Sequence, residues 1–365
     1  VPSGSSDGIL FQCPADPKMH GWNDEDDPCN TVTYLGDDKQ PFETHLDTGS
    51  DSKDEGKSAN PASDNADVDA DADVDADGAA VDALLIDEAA FLSTFRDHKF
   101  DGWSQSYSDE KNVWRQFYVE HIIPHIESGY HIYESACGIG LKLFMTLEFI
   151  HEYSNATDIT VYGNEYIDAN AKRADQILDL LLSADDAFQV GSQDEGAGSV
   201  GDGAANAHKF RKGSVCTGDS TDLNFVPNEA FDMAFTGYIS PLFDPLQLYK
   251  VANHSDDDYA AKREELCNPE EDDWKTKIIL QLEAEKQEQW ANMWATEMLR
   301  IVKPGSYVSI QSVALPICVA PNDWGGVSHE FWKEKGPNMY KWDVDDVKIV
   351  ESKHTRYNVI LHKKS

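Results

Sequence analysis

The feature that most constrains the fold is residues 131–141, His-Ile-Tyr-Glu-Ser-Ala-Cys-Gly-Ile-Gly-Leu. An apolar run with high β propensity ends here at the acidic Glu134, and a helical pattern of apolar residues follows the stretch. Between them lie three small residues at alternate positions, Ala136, Gly138 and Gly140. Small residues let a backbone approach a ligand closely. The order strand, tight turn, helix therefore predicts a binding loop within an α/β sheet.

Two chemistries use such a loop, because it presents backbone N–H groups at a helix N-terminus. Dinucleotide enzymes place a pyrophosphate there. Enzymes that use S-adenosylmethionine (SAM) instead place the methionine part of the cofactor over the small residues, with the strand-end carboxylate near its amino end. Glu134 favours SAM, since a carboxylate repels a pyrophosphate and suits a cationic amine. An NAD-linked oxidoreductase is a distant alternative, because G-x-G-x-x-G is missing.

In its spacing E-x-A-x-G-x-G, the stretch resembles the first motif of the class I SAM-dependent methyltransferases. Ala136 stands where the first glycine of that motif usually lies. The resemblance covers about residues 108–362. It implies a Rossmann-like α/β fold with a seven-stranded, mostly parallel sheet, an antiparallel C-terminal strand and helices on both faces. It also implies that the first motif binds SAM through Glu134, Ser135, Ala136, Cys137, Gly138 and Gly140.

Two further acids follow predicted strands. In a Rossmann-like sheet an acid at the end of the second strand accepts hydrogen bonds from ribose hydroxyls, and Glu165 has that place; a solvated loop acid is the alternative. By resemblance, Tyr166 or Ile167 packs on the adenine ring. Asp219 and Ser220 match a G-D-[SA] turn that the family places after its third strand, where the acid meets the adenine amine.

The patterns also predict element boundaries. The predicted helices and strands cover residues 108–126, 141–153, 159–163, 169–183, 274–302, 307–313 and two C-terminal strands within 347–362. Ser108 is expected to cap the first helix, with Val113 facing inward. The helix at 274–302 is long enough for a break near Gln281 or Glu285. Lys-Pro-Gly at 303–305 resembles the family's turn into its fifth strand.

Candidates for chemistry lie in the later loops. The end of the fourth strand faces the methyl group in the resembled family, which places Tyr238 at the reaction centre. His329 is a candidate proton acceptor, with a surface or packing histidine as the alternative. Aromatic faces of Tyr118, Trp324 and Trp332 could steady a cationic product.

The net charge of the chain bears on which class of partner it can bind. The formal net charge is −37, and residues 1–90 hold 23 Asp and Glu against 4 Lys and Arg, a net of −19. Such an acidic surface argues against a nucleic-acid groove. Residues 1–80 read as an acidic, largely disordered tail. Residues 81–365 read as the methyltransferase-like domain, with insertions at 184–208 and 243–273. No apolar run is long enough to span a membrane; the oligomeric state is left open.

Metal and disulfide sites are not expected. Asp73–Gly78 fits the opening of a calcium loop, but Leu84 stands where a bidentate Glu is required, so an acidic linker is favoured. The six cysteines include no C-x-x-C pair, which argues against a disulfide framework or a zinc site and favours a reducing, cytoplasmic compartment. The chain begins with Val1, so either a targeting segment has been removed or the sequence is a fragment.

Three functional hypotheses remain. The first is a SAM-dependent methyltransferase that moves a methyl group to a small molecule by in-line displacement. The second is the same chemistry on a protein side chain, with the acidic tail attracting a basic partner. The third is a non-catalytic interaction protein that retains the fold.

Overall fold

The computed structural model of the chain describes residues 10–15, 88–100, 105–184, 210–237, 256–319, 326–352 and 356–365. Contacts divide the chain into two units, Val1–Thr31 with Glu88–Ser365, and Val32–Asp87. The second unit lies wholly outside the described residues, and so does the calcium-loop pattern. The predicted division into an acidic tail and a methyltransferase-like domain therefore stays a prediction.

Seven strands form one sheet. They are β1 His131–Ser135, β2 Ile159–Glu165, β3 Phe210–Thr217, β4 Phe231–Thr236, β5 Val302–Ala314, β6 Val344–Glu351 and β7 Arg356–Lys363. Their order is β3-β2-β1-β4-β5-β7-β6. Strands β1 to β5 pair in parallel, whereas β7 runs antiparallel to both of its neighbours. This order confirms the predicted Rossmann-like sheet with an antiparallel C-terminal strand.

The described helices flank this sheet. They are α1 Glu88–Thr94, α2 Tyr107–His121, α3 Leu141–Tyr153, α4 Asp168–Ala184, α5 Asp256–Cys267 and α6 Trp274–Ile301, with a 3₁₀ turn at Ile123–His125 and a π-helical segment at Phe331–Met339. α3 has the predicted bounds. α5 lies within the predicted insertion at 243–273. Among the helices of the described ranges, none is both long and apolar enough to cross a membrane.

β1 is the middle one of the five parallel strands and positions the binding loop. Successive side chains of a strand point to opposite faces. Trp294 of α6 donates a hydrogen bond to Ser135 Oγ on one face (2.8 Å), whereas Glu134 lies on the other, near the first turn of α3. Helices therefore cover both faces. The strand order reverses between β1 and β4, and ligands of open α/β sheets bind in the crevice at such a point.

The passage from α6 into β5 differs from the prediction. α6 is one helix of 28 residues, without the break near Gln281 or Glu285. Residues 303–305 belong to β5 rather than to a turn. The strand accommodates them because its pairing register with β4 shifts at this point, and Gly305 adopts a φ of 76°. Such a bulge inserts extra residues without ending the strand.

α2 begins slightly earlier than predicted. Its cap is Ser106, which accepts a hydrogen bond from the N–H of Asp109, rather than Ser108. Val113 is 61% exposed, so its predicted inward position is wrong. The buried residues of the helix are Tyr107, Lys111, Phe117 and Tyr118. Lys111 is among them because it pairs with Glu148 of α3; a search for apolar residues alone therefore mistakes which face is buried.

Residues 10–15 pack with the folded unit. Phe11 belongs to the core, and its carbonyl accepts a hydrogen bond from Ser214 Oγ of β3 (2.9 Å). Cys13 forms a disulfide with Cys216 of the same strand. This segment is therefore an ordered part of the stretch that was predicted to be largely disordered.

A second disulfide joins Cys267 of α5 to Cys318, beyond β5. Arg263 supports this link by donating from Nε to the carbonyl of Ile317 (2.8 Å). The prediction of no disulfide framework is wrong, and the reducing compartment inferred from it loses its basis. The two pairs are separated by 203 and 51 residues, so only the folded chain brings them together. No short motif marks such pairs.

Candidate functional site

The loop after β1 adopts a conformation that its small residues permit. Ala136, Gly138 and Gly140 have φ angles of 55°, 54° and 81°, the left-handed region that glycine adopts without steric cost. A Cβ added to Gly138 would meet no atom within 4 Å, whereas one on Gly140 would lie 3.1 Å from Leu178. Gly140 therefore lets α3 approach α4, and the space beside the α-carbon of Gly138 is open.

Ala136 is the one residue of the three with a Cβ, and that side chain is strained at a φ of 55°. A left-handed alanine costs about 1–2 kcal/mol relative to its ordinary conformation. We expect Ala136→Gly to raise the free energy of unfolding by about 0.5–1 kcal/mol, the strain relief being partly offset by unfolded-state entropy. Chemical denaturation of the two proteins measures this. A drop in stability would contradict the strain.

The Glu134 carboxylate is fully buried at the start of α3. It interacts with the backbone N–H groups of Leu143 and Gly237, and Leu143 lies in the first turn, where helix N–H groups lack intrahelical partners. Its Oε2 atom has no hydrogen-bond partner among the described residues. Burial is the main reason why the pKa of Glu134 lies well above its ordinary value. A cation placed at Oε2 would offset this cost.

Sequence reasoning missed Lys142, the second residue of α3. Its side chain is buried, and its Nζ lies 3.6 Å from the centre of the Trp114 ring. Burial lowers the pKa of Lys142 to about 7, an effect that Glu134 and Glu110 oppose. A lysine inside an otherwise apolar helical turn is the only sequence signal for it.

Glu165, at the end of β2, reaches back to the binding loop. Its Oε2 accepts a hydrogen bond from the N–H of Gly138 (2.8 Å), and its Oε1 accepts one from the N–H of Ile167 (3.2 Å). The charge of Glu165 contributes to the raised pKa of Glu134. The structure therefore brings these two predicted acids together. Tyr166 follows Glu165 and is half-buried.

The turn after β3 lies beside that of β2. Asp219 is buried, and its Oδ1 accepts hydrogen bonds from the N–H and the hydroxyl of Thr221 (2.8 and 2.7 Å). Asn164, which sequence reasoning left without a role, donates from Nδ2 to the Gly218 carbonyl (2.8 Å) and to Ser220 Oγ (3.1 Å). The predicted acids thus lie at the C-terminal ends of the neighbouring parallel strands β1, β2 and β3. Asn164 links the end of β2 to the turn that follows β3.

The side chains of two residues predicted to bind the cofactor have other roles in the structure. Ser135 Oγ accepts the hydrogen bond from Trp294 on the α6 face of the sheet. Only the backbone of Ser135 can therefore contact a ligand at the loop. Cys137 is a buried free thiol. Burial is the first cause, and the nearby Glu134 and Glu165 the second, of a Cys137 pKa well above the ordinary value. The thiol is therefore held protonated and unreactive.

The predicted acceptor residues are dispersed. Tyr238 and Trp324 lie outside the described residues. Tyr118 is fully buried in α2, where Thr146 and Gln311 bond to its hydroxyl. Glu134 contributes to the raised pKa of Tyr118, although burial is the main cause, so this ring lies within electrostatic reach of the loop.

His329 and Trp332 sit together near β7. The His329 ring contacts that of Tyr357 edge-on, with 4.4 Å between the centres, and its Nε2 lies 3.7 Å from Glu351. Trp332 is 1% exposed and donates from Nε1 to the Tyr357 hydroxyl (2.8 Å). The structure gives Trp332 a packing role, with no face open to an acceptor. Within the described residues, no group of three metal-ligating side chains converges.

Comparison with known proteins yields a likeness of fold only. No family model matches the sequence, and no curated protein does. A possible exported protein from Bordetella parapertussis is 9% identical, with 76% of this chain and 79% of that chain covered and a TM-score of 0.39. A SAM-dependent methyltransferase from Methanosarcina mazei is 12% identical (67% and 96% covered, TM-score 0.35).

A third solved structure is the magnesium protoporphyrin IX methyltransferase of Synechocystis with bound SAM. It is 10% identical, with 79% of this chain and 100% of that chain covered and a TM-score of 0.36. Scores of this size carry no argument about function, so any functional conclusion rests on the residues of the site. The sheet order of the chain, with the loop at the end of the middle one of its five parallel strands, is that of a Rossmann-like α/β fold.

Proposed function

We propose that the protein is a SAM-dependent methyltransferase. The observation that carries the proposal is the buried Glu134 carboxylate, whose Oε2 lacks a partner among the described residues and which lies beside a loop with open space at Gly138. Desolvated carboxylates are costly unless a cation or hydrogen-bond donor meets them. The ammonium group of SAM is such a cation, whereas the pyrophosphate of a dinucleotide would be repelled.

The nucleoside end of SAM would extend toward β2 and β3. Each carboxylate oxygen of Glu165 uses one lone pair on a backbone N–H and keeps another that can accept a ribose hydroxyl. Ile167 is 55% exposed next to it, an apolar surface on which adenine could pack. Asp219 would meet the adenine amine, with its carboxylate oriented by Thr221.

The sulfonium of bound SAM supplies an electrophilic methyl carbon. The task of the chain is then to hold an acceptor in line with that carbon at near-attack distance. The sheet edge at the ends of β1 and β4 and the roof formed by α2, with Tyr118, would enclose this place. Tyr238 and His329 remain the proposed proton acceptors for an O–H or N–H acceptor.

A small molecule is the proposed acceptor class, and a protein side chain is the alternative. A variant that lacks residues 32–80 separates them. Residues 10–15 must stay, because Phe11 and Cys13 belong to the folded unit. Equal turnover of small acceptors by the variant and the full chain supports the first class. Loss of turnover only on basic protein acceptors supports the second.

Calorimetric titration with SAM and with its demethylated product tests the proposal directly. We expect saturable heat with both ligands, followed by transfer of labelled methyl groups in an acceptor screen. Heat without transfer to any acceptor would favour the non-catalytic interaction protein. No heat and no thermal stabilisation at about 1 mM SAM, where a ligand in excess of its Kd must stabilise the fold, would refute the proposal.

The two disulfides bear on the compartment. Disulfides form and persist where the surroundings are oxidising. We propose an oxidising compartment in place of the cytoplasmic location expected from the sequence. Mass spectrometry after alkylation in denaturant without reductant, on protein purified from its natural source, is expected to find Cys137 as the only modified cysteine among the five in the described residues.

A further inference from the structure

The loop between α3 and β2 contains an Asn-x-Thr sequence that the proposed function does not use. An Asn followed two positions later by Ser or Thr is the acceptor sequence for N-glycosylation. The chain contains this sequence at Asn155 and at Asn253. Asn253 lies outside the described residues, whereas the loop with Asn155, Ala156 and Thr157 is among them. The first acceptor sequence can therefore be judged by its surroundings.

Asn155 is exposed in a loop whose backbone is held in place next to it. The N–H of Thr157 donates to Ser128 Oγ (3.0 Å), and the Thr157 carbonyl accepts from the N–H of Gly129 (2.9 Å). Within the described ranges, neither the amide group of Asn155 nor the hydroxyl of Thr157 has a hydrogen-bond partner. Both side chains that the acceptor sequence requires are therefore open to solvent.

An exposed aromatic residue lies two positions before Asn155. Tyr153 is the last residue of α3 and is 43% exposed. Its ring contacts that of Phe149 on the helix side, with 6.3 Å between the centres. A pyranose ring has an apolar face of C–H groups, and packing this face on an aromatic ring removes apolar surface from water. The first sugar of a glycan on Asn155 would find such a ring in Tyr153.

The loop lies at the edge of the sheet opposite to the binding loop. Asn155 precedes β2 and so lies at the N-terminal ends of the parallel strands, whereas the binding loop follows the C-terminal end of β1. β2 has seven residues, and at about 3.3 Å per residue it separates the two edges by roughly 20 Å. A glycan on Asn155 would therefore leave the binding loop uncovered.

We propose that Asn155 carries an N-linked glycan whose first sugar packs on the ring of Tyr153. The inference rests on the proposed oxidising compartment, because disulfides form in the lumen of the endoplasmic reticulum, where N-glycans are also attached. It is independent of SAM binding. The sugar donor is a lipid-linked oligosaccharide diphosphate, and an oligosaccharyl transferase catalyses the transfer.

The transfer exchanges one bond for another at the anomeric carbon of the donor. The Asn155 Nδ2 atom attacks this carbon and forms a C–N bond with it, while the bond from the carbon to the diphosphate oxygen breaks. The lipid diphosphate leaves with the bonding electrons, and Nδ2 loses one proton to solvent. No oxidant or reductant is needed.

Peptide mapping of the protein from its natural source tests the modification. An amidase that releases N-glycans converts a glycosylated Asn to Asp, and heavy-oxygen water labels the new carboxylate. We expect the label at position 155 and none at Asn224, an exposed control without the acceptor sequence. We expect N155Q and T157A to lose the glycan, whereas T157S, which keeps a hydroxyl, retains it in part.

Thermal unfolding before and after glycan release tests the contact with Tyr153. We expect release to lower the Tm of the wild type by about 2 °C, and that of Y153S by less than about 0.5 °C, since only the wild type loses the packing contact. Release leaves a carboxylate at position 155 in both proteins, so its charge does not account for the difference.

Each other result counts against the inference. Unlabelled Asn155 in protein that has both disulfides would overturn the glycan and leave the proposed compartment standing. Unlabelled Asn155 together with free thiols at all five described cysteines would overturn both. An equal loss of Tm in the wild type and Y153S would overturn the packing on Tyr153. If N155Q does not fold, T157A decides, because the backbone bonds of Thr157 remain. Failure of SAM titration is a separate result and affects only the proposed function.

Discussion

Glu134→Gln is expected to weaken SAM binding by about 100-fold or more while the fold survives. Loss of one member of a desolvated charge pair costs about 2–5 kcal/mol, and every 1.4 kcal/mol is a factor of about ten in Kd. The glutamine side chain keeps the size of the original and can still accept from the N–H groups of Leu143 and Gly237. Calorimetric titration at pH 7 measures the loss, and Glu120→Gln, on the exposed end of α2, serves as the control.

The same variant separates binding from stability. Burial raises the pKa of Glu134 well above 4.5. The stability that comes from its neutral form is therefore fully present below about pH 4.5 and is lost as the pH rises through the raised pKa. A glutamine does not ionise, so we expect the free energy of unfolding of the variant at pH 7 to be no lower than that of the wild type. Weak SAM binding together with a collapsed fold would contradict this account.

Cys13→Ser is expected to lower the free energy of unfolding by about 2–5 kcal/mol, because removal of a native crosslink raises the conformational entropy of the unfolded chain. The bond closes a loop of 203 residues, against 51 for Cys267–Cys318. The chain-entropy relation then makes the first bond worth about 1 kcal/mol more than the second. Cys216 stays as a buried thiol, which packs as a small apolar group.

Urea denaturation of Cys13→Ser and Cys318→Ser, each compared with the wild type, measures both effects. The matched control is Cys137→Ser, which replaces a buried free cysteine and removes no crosslink. Equal stability of Cys13→Ser and the wild type would show that the bond between Cys13 and Cys216 does not stabilise the fold.

Local patterns explain why the centre of the fold was predictable. The bounds of α3, Leu141–Tyr153, match the prediction because the small residues before it and the apolar spacing within it are both short-range signals. The same holds for the acids Glu134 and Glu165, which each follow a recognisable strand. The seven-stranded, mostly parallel sheet with an antiparallel C-terminal strand follows from the resemblance of the motifs, and the structure confirms it.

Long-range contacts explain what could not be predicted. Lys142 reads as an ordinary helix lysine, and its burial depends on Trp114 from a separate helix. Trp332 lies in a polar, aromatic-rich stretch, and only its contact with Tyr357 reveals that it belongs to the core. The partners of Cys13 and Cys267 are fixed by tertiary structure alone. The prediction that Val113 faces inward is wrong because Lys111 occupies the buried face of α2, where an apolar residue was expected.

The disulfide between Cys13 and Cys216 also encloses the acidic residues 16–87 in a covalent loop. Both ends of that stretch, residues 10–15 before it and α1 after it, belong to one unit, and the first end is bonded to β3. A single proteolytic cut between residues 16 and 87 would leave two fragments in one covalent molecule. On a gel they should migrate together until a reductant is added.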